Sequence, residues 1–157
     1  MKKKRVVIIS LLLLLVNVIG ISSYFLFKDK INLLDVDHSA VDWNGKKQKD
    51  TSGEENTIAI PGFEKVTLYA NETKQAVNFH NPEINDCYFK ISLIHPDGSV
   101  LWISDLIEPG KGMYSIELEK TLAVGEYENA VLKYECFSLN DQSPLNGSEI
   151  NLKLVVV

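Results

Sequence analysis

Arginine is nearly missing from this chain: Arg5 is the only one in 157 residues. Without guanidinium groups beyond that position, the protein lacks the planar fork that grips phosphate and carboxylate in bidentate fashion. No glycine-rich phosphate loop is present to take its place. All 21 acidic residues lie after position 28, and four of the 16 basic residues lie before position 6. The chain from Lys28 onward therefore sets 12 basic against 21 acidic side chains, a formal charge of −9. Such a surface is unsuited to nucleic acid, which is held mainly by cations on phosphates, and equally to an anionic lipid surface.

Residues that carry chemistry are also sparse. The three histidines, His38, His80 and His95, stand apart from one another and from any metal-ligand pattern. His80 and His95 border turns, where a solvated histidine is the ordinary case. No H-E-x-x-H, G-x-S-x-G or C-x-x-C motif occurs, and no D-x-D-x-D-G calcium loop. Two carboxylates working as acid and base would need a cleft that a small all-β domain seldom offers. No catalytic residue, metal or cofactor is expected, and an enzyme is the least supported class. Asn71-Glu-Thr73 and Asn146-Gly-Ser148 match a glycosylation triplet and read here as turns.

What the chain does have is a long apolar run. Residues 6–27 are almost uninterrupted in hydrophobicity and follow Lys2, Lys3, Lys4 and Arg5. A helix rises ~1.5 Å per residue and the hydrocarbon core is ~30 Å thick, so about 20 such residues span it. Cations on the N-terminal flank keep that end cytoplasmic and place the rest outside. Two readings stay open, a permanent signal-anchor and a cleaved signal peptide. Gly20, Ser22 and Ser23 offer a poor cleavage site, whereas Tyr24 to Phe27 extend the run past it and favour the anchor. The expected organisation is a basic tail over 1–5, a transmembrane helix over 6–27, a flexible stalk over 28–56 and one folded domain over 57–157.

The stalk reading rests on 46–56, which is polar, charged and aperiodic. From position 57 the pattern becomes short alternating runs separated by turn residues. Strands are expected over 57–60, 65–70, 75–80, 87–94, 100–104, 113–118, 127–137 and 149–156. The Pro96-Asp-Gly98 step between two apolar runs is a hairpin signal. Period-2 alternation turns Cys87, Phe89, Ile91 and Leu93 to one face, and likewise Ala130, Leu132, Tyr134 and Cys136, and Tyr114, Ile116 and Leu118. Eight short strands without an amphipathic helix read as an all-β, immunoglobulin-like antiparallel β-sandwich. Tyr127, just after Gly125, is placed to form the corner hydrogen bond of such domains, provided a bulge or a later strand start corrects its phase with Ala130.

Taken whole, the chain resembles small, singly anchored proteins of Gram-positive bacteria that carry an immunoglobulin-like extracellular domain. Three stretches carry the resemblance: Ile58-Ala-Ile-Pro-Gly-Phe63, Asn85-Asp-Cys-Tyr-Phe89 with the Pro96 hairpin, and Glu126-Tyr-Glu-Asn-Ala-Val-Leu-Lys-Tyr-Glu-Cys136. The resemblance implies architecture and location, and no chemistry.

Cys87 and Cys136 are the only cysteines, and parity puts both on core faces. In an exported chain they form a candidate disulfide. Closing about 50 residues would stabilise the fold by ~4 kcal/mol in the chain-entropy model. Two buried free thiols are the alternative. A redox or metal pair is disfavoured by the spacing.

Surface for recognition is expected in two places. Trp102 and Tyr88 form an aromatic patch if their strands pair across the hairpin, unless Trp102 belongs to the core. The polar loop over 138–147, with Asn140, Asp141 and Pro144, is the second. The apolar closing strand over 150–157 is the one most able to pair with a partner. The leading functional expectation is a non-catalytic, membrane-tethered binding or assembly module engaging a cell-envelope protein. An inhibitor or regulator of an exported enzyme is the rival, and a carbohydrate-binding module on cell-wall glycan is the third.

Overall fold

Proline, glycine and asparagine divide the folded part of the chain into alternating runs rich in β-branched and aromatic residues, and every element they bound among the described residues is a strand. The computed structural model describes residues 33–45 and 57–157. The basic tail, the 6–27 segment and residues 28–32 and 46–56 of the expected stalk lie outside the described residues. The chain divides into two units, Met1–Leu33 and Leu34–Val157, and all the strands belong to the second. They are β1 (Val41–Asp42), β2 (Lys65–Leu68), β3 (Lys74–His80), β4 (Cys87–Ile94), β5 (Val100–Ile103), β6 (Lys111–Glu117), β7 (Gly125–Ser138) and β8 (Pro144–Val156).

Two sheets result. One has the order β1-β6-β3 and the other β2-β8-β7-β4-β5. The inner faces share a single core in which Phe79, Met113 and Ile116 of the first sheet meet Phe89, Ile91, Leu132 and Leu154 of the second. The architecture is all-β and two-layered. The expected alternation holds on β4 and β7, where Cys87, Phe89, Ile91, Leu93, Ala130, Leu132, Tyr134 and Cys136 are all buried.

Four expectations are corrected. The sheet is not wholly antiparallel, because β2 runs parallel to β8, Lys65 beside Lys153 and Leu68 beside Val156. The closing strand is therefore interior along its last third, not an exchangeable edge; the edges of the large sheet are β2 and β5. Residues 57–60 form no strand. Their main chain is held by a side chain instead: Ala59 N–H donates to Asn85 Oδ1 at 2.7 Å, and Asn85 Nδ2 donates back to Ala59 O at 2.9 Å. Tyr114 faces outward, because the register slips between Ala76 and Phe79 on β3 and brings Met113 inward in its place.

Two turns behave as their sequence dictates. Gly98, at φ +86°, closes the β4–β5 hairpin, with its N–H donating to His95 O at 2.8 Å. At the start of β7 the register shifts between Tyr127 and Ala130, with Asn129 at φ +62°. That bulge restores the phase, and the Tyr127 hydroxyl donates to Ala123 O at 2.9 Å.

Candidate functional site

The stalk reading fails over 34–45, because these residues are a strap bound to the sandwich. Asp37 N–H donates to Leu106 O, Leu106 N–H to Asp35 O, and Trp43 N–H to Gly110 O, each within 2.9 Å. Val41 and Asp42 pair with Gly112 and Lys111 and so complete the small sheet at its β6 edge. An ion pair joins Asp42 to Lys111, which lowers the aspartate pKa and raises that of the lysine. Asn44 and Tyr114 exchange two hydrogen bonds, at 3.0 and 2.8 Å.

Trp43 is the anchor of the strap. Its ring stacks on His80 with centroids 3.8 Å apart and planes 9° off parallel. Its Nε1–H donates to Asn78 Oδ1 at 2.7 Å. Glycine at 45 and 112 makes room for it: a Cβ at either position would lie within 2.9 Å of the indole. Sequence reasoning missed this residue because it falls within the expected stalk over 28–56. The available signal was a tryptophan at the end of a less polar stretch that also holds Val36, Ala40 and Val41.

Strand directions gather several features at one end of the sandwich, hereafter the strap end. β3 ends there at His80, β4 begins at Cys87, β6 begins at Lys111, and β7 ends at Ser138, opposite Cys87. A cleft of about 550 Å³ opens there between the strap, the β3–β4 turn and the turn before β6. Asp42, Trp43, His80, Glu83 and Ile84 line it, with Pro109 and Gly110. Ile84 is 69 % exposed, a large apolar side chain presented to solvent.

The expected recognition loop also lies at this end and is shorter than expected. β8 begins at Pro144, so residues 139–143 alone connect the strands. The turn is internally braced. Ser138 N–H donates to Ser143 O, and Gln142 N–H to Ser138 O. Asp141 accepts from both the Ser143 N–H and its hydroxyl, which lowers the carboxyl pKa. Gln142, at φ +55°, clasps the start of the strap: Leu34 N–H donates to its Oε1 at 2.6 Å and its Nε2 donates to Leu34 O at 3.0 Å.

The sequence-predicted surface residues separate into two groups. Trp102 is 7 % exposed and tilts against Phe79 with ring centroids 5.9 Å apart, so it belongs to the core. It pairs with Leu93, five residues along β4 from Tyr88, and the Tyr88–Trp102 patch does not form. The cause is a register slip between Leu93 and Ile94 beside β5, which breaks the alternation assumed for 100–104. Tyr88 instead stands in a cross-strand row with Phe137 and Pro144. Asn140, Asp141 and Pro144 are exposed near Leu139 and Leu145, which are exposed as well. Beyond β2, the outer backbone edge of β8 is left without a strand over 144–152 among the described residues.

Cys87 and Cys136 come together. They are buried free thiols facing the core from neighbouring strands. Tyr134 packs edge-on against Phe89, and its hydroxyl has no hydrogen-bond partner among the described residues. Burial pushes its phenol well above the ordinary range. Among the described residues no three histidine, cysteine, aspartate or glutamate side chains are grouped to hold a metal, and no helix is long and apolar enough to cross a membrane. No protein-family model, curated protein or solved structure matches the chain.

Proposed function

We propose that the chain is a membrane-tethered, non-catalytic binding module of the cell envelope, an immunoglobulin-like sandwich held outside the membrane by segment 6–27. The immunoglobulin-like reading is supported by the two-sheet core and by the Tyr127 corner bond to Ala123. The tether is shorter than the sequence pattern suggests. Seven positions separate Phe27 from Leu34, where the strap begins, so the extended chain between them reaches at most about 25 Å. Segment 46–56 is then a connection between β1 and β2, not a spacer.

One observation carries the binding reading. The strap end of the sandwich presents the exposed side chains Ile84, Leu139 and Leu145, the row Tyr88–Phe137–Pro144, and the cleft beside Trp43. Exposed apolar groups gathered on a rigid scaffold are characteristic of protein-binding surfaces. The partner in this reading is an envelope protein that engages this end of the sandwich.

The test is photo-crosslinking in cells from positions 84 and 144, with Val124 as the control. Val124 is 72 % exposed, just before β7 at the opposite end. A single protein adduct from 84 and 144, absent at 124, supports the module; equal labelling at all three positions contradicts it. The braced turn over 139–143 favours one second reading, a regulator that presents this turn to an exported enzyme. Stacking of wall glycan on Trp102 has no support, because that ring is buried.

A further inference from the structure

We propose that the cleft beside Trp43 receives a basic side chain carried on a short apolar peptide segment, so that the partner is recognised by a lysine or arginine set between hydrophobic residues. This rests on the binding-module reading and names the chemistry of its partner. The cleft has the volume of a ligand pocket, about 550 Å³, which suits a stretch of peptide better than one side chain. Its walls are stiff and open. Pro82 and Pro109 fix the main chain on two sides, and Gly110, at φ +77°, puts no side chain into the opening. Trp43 and Ile84 supply apolar surface. The indole is already held by its stack on His80 and its bond to Asn78, so binding does not have to order it.

Charge selects the occupant. Segments 34–45, 81–86 and 104–110, which supply most of the walls, hold seven carboxylates and neither lysine nor arginine. Lys111 follows them at the start of β6 and is tied to Oδ1 of Asp42. Oδ2 of Asp42 and the whole carboxylate of Glu83 have no hydrogen-bond or ion-pair partner among the described residues. Both residues are exposed at the rim. An ammonium or guanidinium arriving there meets two anionic groups, while its aliphatic stem lies along Ile84 and the indole. The same field opposes a phosphate or an anionic lipid headgroup, and a neutral glycan makes no use of it. Among the described residues no three ligands gather for a metal ion.

The test is NMR of the full chain in zwitterionic detergent micelles, titrated with acetyl-Leu-Lys-Leu-amide. The same peptide with glutamine or glutamate in the middle is the control. The lysine peptide is expected to give saturable shifts at the Trp43 indole N–H and at the Ile84 and Gly110 amides, and none at Val124. The glutamate peptide should bind about tenfold more weakly. Glu83→Gln should weaken the lysine peptide about threefold and leave the glutamine peptide unchanged. Ile84→Ser should weaken both alike. Equal affinity for the three peptides overturns the proposal, because charge then selects nothing. So does the absence of saturable shifts at Trp43 and Gly110. Binding gained only when Lys46, Lys47 and Lys49 are all replaced by glutamine overturns it too, because the chain's own lysines are then the occupant. Crosslinking from 84 and 144 is read separately: a shared adduct there, without lysine preference here, removes the basic residue and keeps the binding surface.

Discussion

Trp43 lies flat on His80, with 3.8 Å between ring centroids, and this contact turns the segment before the sandwich into part of it. The strap is otherwise short of burial. Its paired residues Val41 and Asp42 are both exposed, and the two-residue strand β1 is too brief to hold by itself. The indole supplies apolar area and a directed hydrogen bond to Asn78 in one side chain.

Replacing Trp43 with alanine is expected to lower stability by roughly 2 kcal/mol, somewhat less than for a fully buried aromatic residue. Hydrogen exchange over 36–44 should accelerate well beyond that global loss. Gly112→Ala acts on the same contact from below, because the added Cβ would sit 2.9 Å from the indole ring. Unchanged exchange over 36–44 in both variants would mean the strap is held by something other than this ring.

Tyr127→Phe removes the hydroxyl that donates to the Ala123 carbonyl. A loss of about 1 kcal/mol is expected, the usual net value of one hydrogen bond. Urea titration with an unchanged m-value would report it. No change in midpoint would demote the corner bond to a decoration of the turn.

Tyr134→Phe is expected to behave in the opposite way. The buried hydroxyl has no partner among the described residues, so its removal relieves a desolvation penalty on the order of 1 kcal/mol. Stability at neutral pH should hold or rise. The pH dependence has a definite sign. Burial raises the folded pKa above the ordinary 10.0, so this group contributes stability below pH 10.0 that is lost as the pH climbs toward the folded value. The alkaline fall in thermal midpoint should be shallower in the phenylalanine variant. A steeper fall, or a destabilised variant at neutral pH, would point to an acceptor for the hydroxyl.

Gln142→Ala cuts both hydrogen bonds to Leu34 and should free the first residues of the strap while leaving the core intact. Asp141 adds an acid dependence to the same turn. Its folded pKa lies below the ordinary 3.8, so its brace is fully present above pH 3.8 and is lost as the pH falls through the folded value. Amide signals of 139–143 should broaden or shift only in that acid range. Asp141→Asn should remove the titration.

Much of the fold is legible in the sequence, and the misses share a cause. β4 matches its expected bounds because Cys87, Phe89, Ile91 and Leu93 alternate onto the core face along its whole length. The corner at Tyr127 and the compensating bulge follow from a phase mismatch visible in the residues themselves. Alternation misleads wherever a strand slips register. Tyr114 and Trp102 each sit on a strand whose pairing slips, beside 76–79 of β3 and 93–94 of β4; Tyr114 lands on the face opposite to its expected one, and Trp102 takes the core face that plain alternation along 100–104 does not give it. No local pattern encodes those slips, because they depend on what the neighbouring strand offers. Pairing between distant segments is equally hidden. Nothing in 34–45 says that it will dock on β6, nor in Lys65–Leu68 that it will run parallel to β8. Of the expected surface residues, Asn140, Asp141, Pro144 and Tyr88 keep access to solvent, whereas Trp102 is buried, which is the core alternative that the sequence leaves open.

The central claim is that the strap end is the working surface. The most direct measurement is the in-cell photo-crosslinking comparison of positions 84 and 144 with position 124, read by mass spectrometry. The account predicts one shared envelope-protein partner at 84 and 144 and none at 124. Adducts confined to 124, or no protein adduct at either strap-end position, would contradict it.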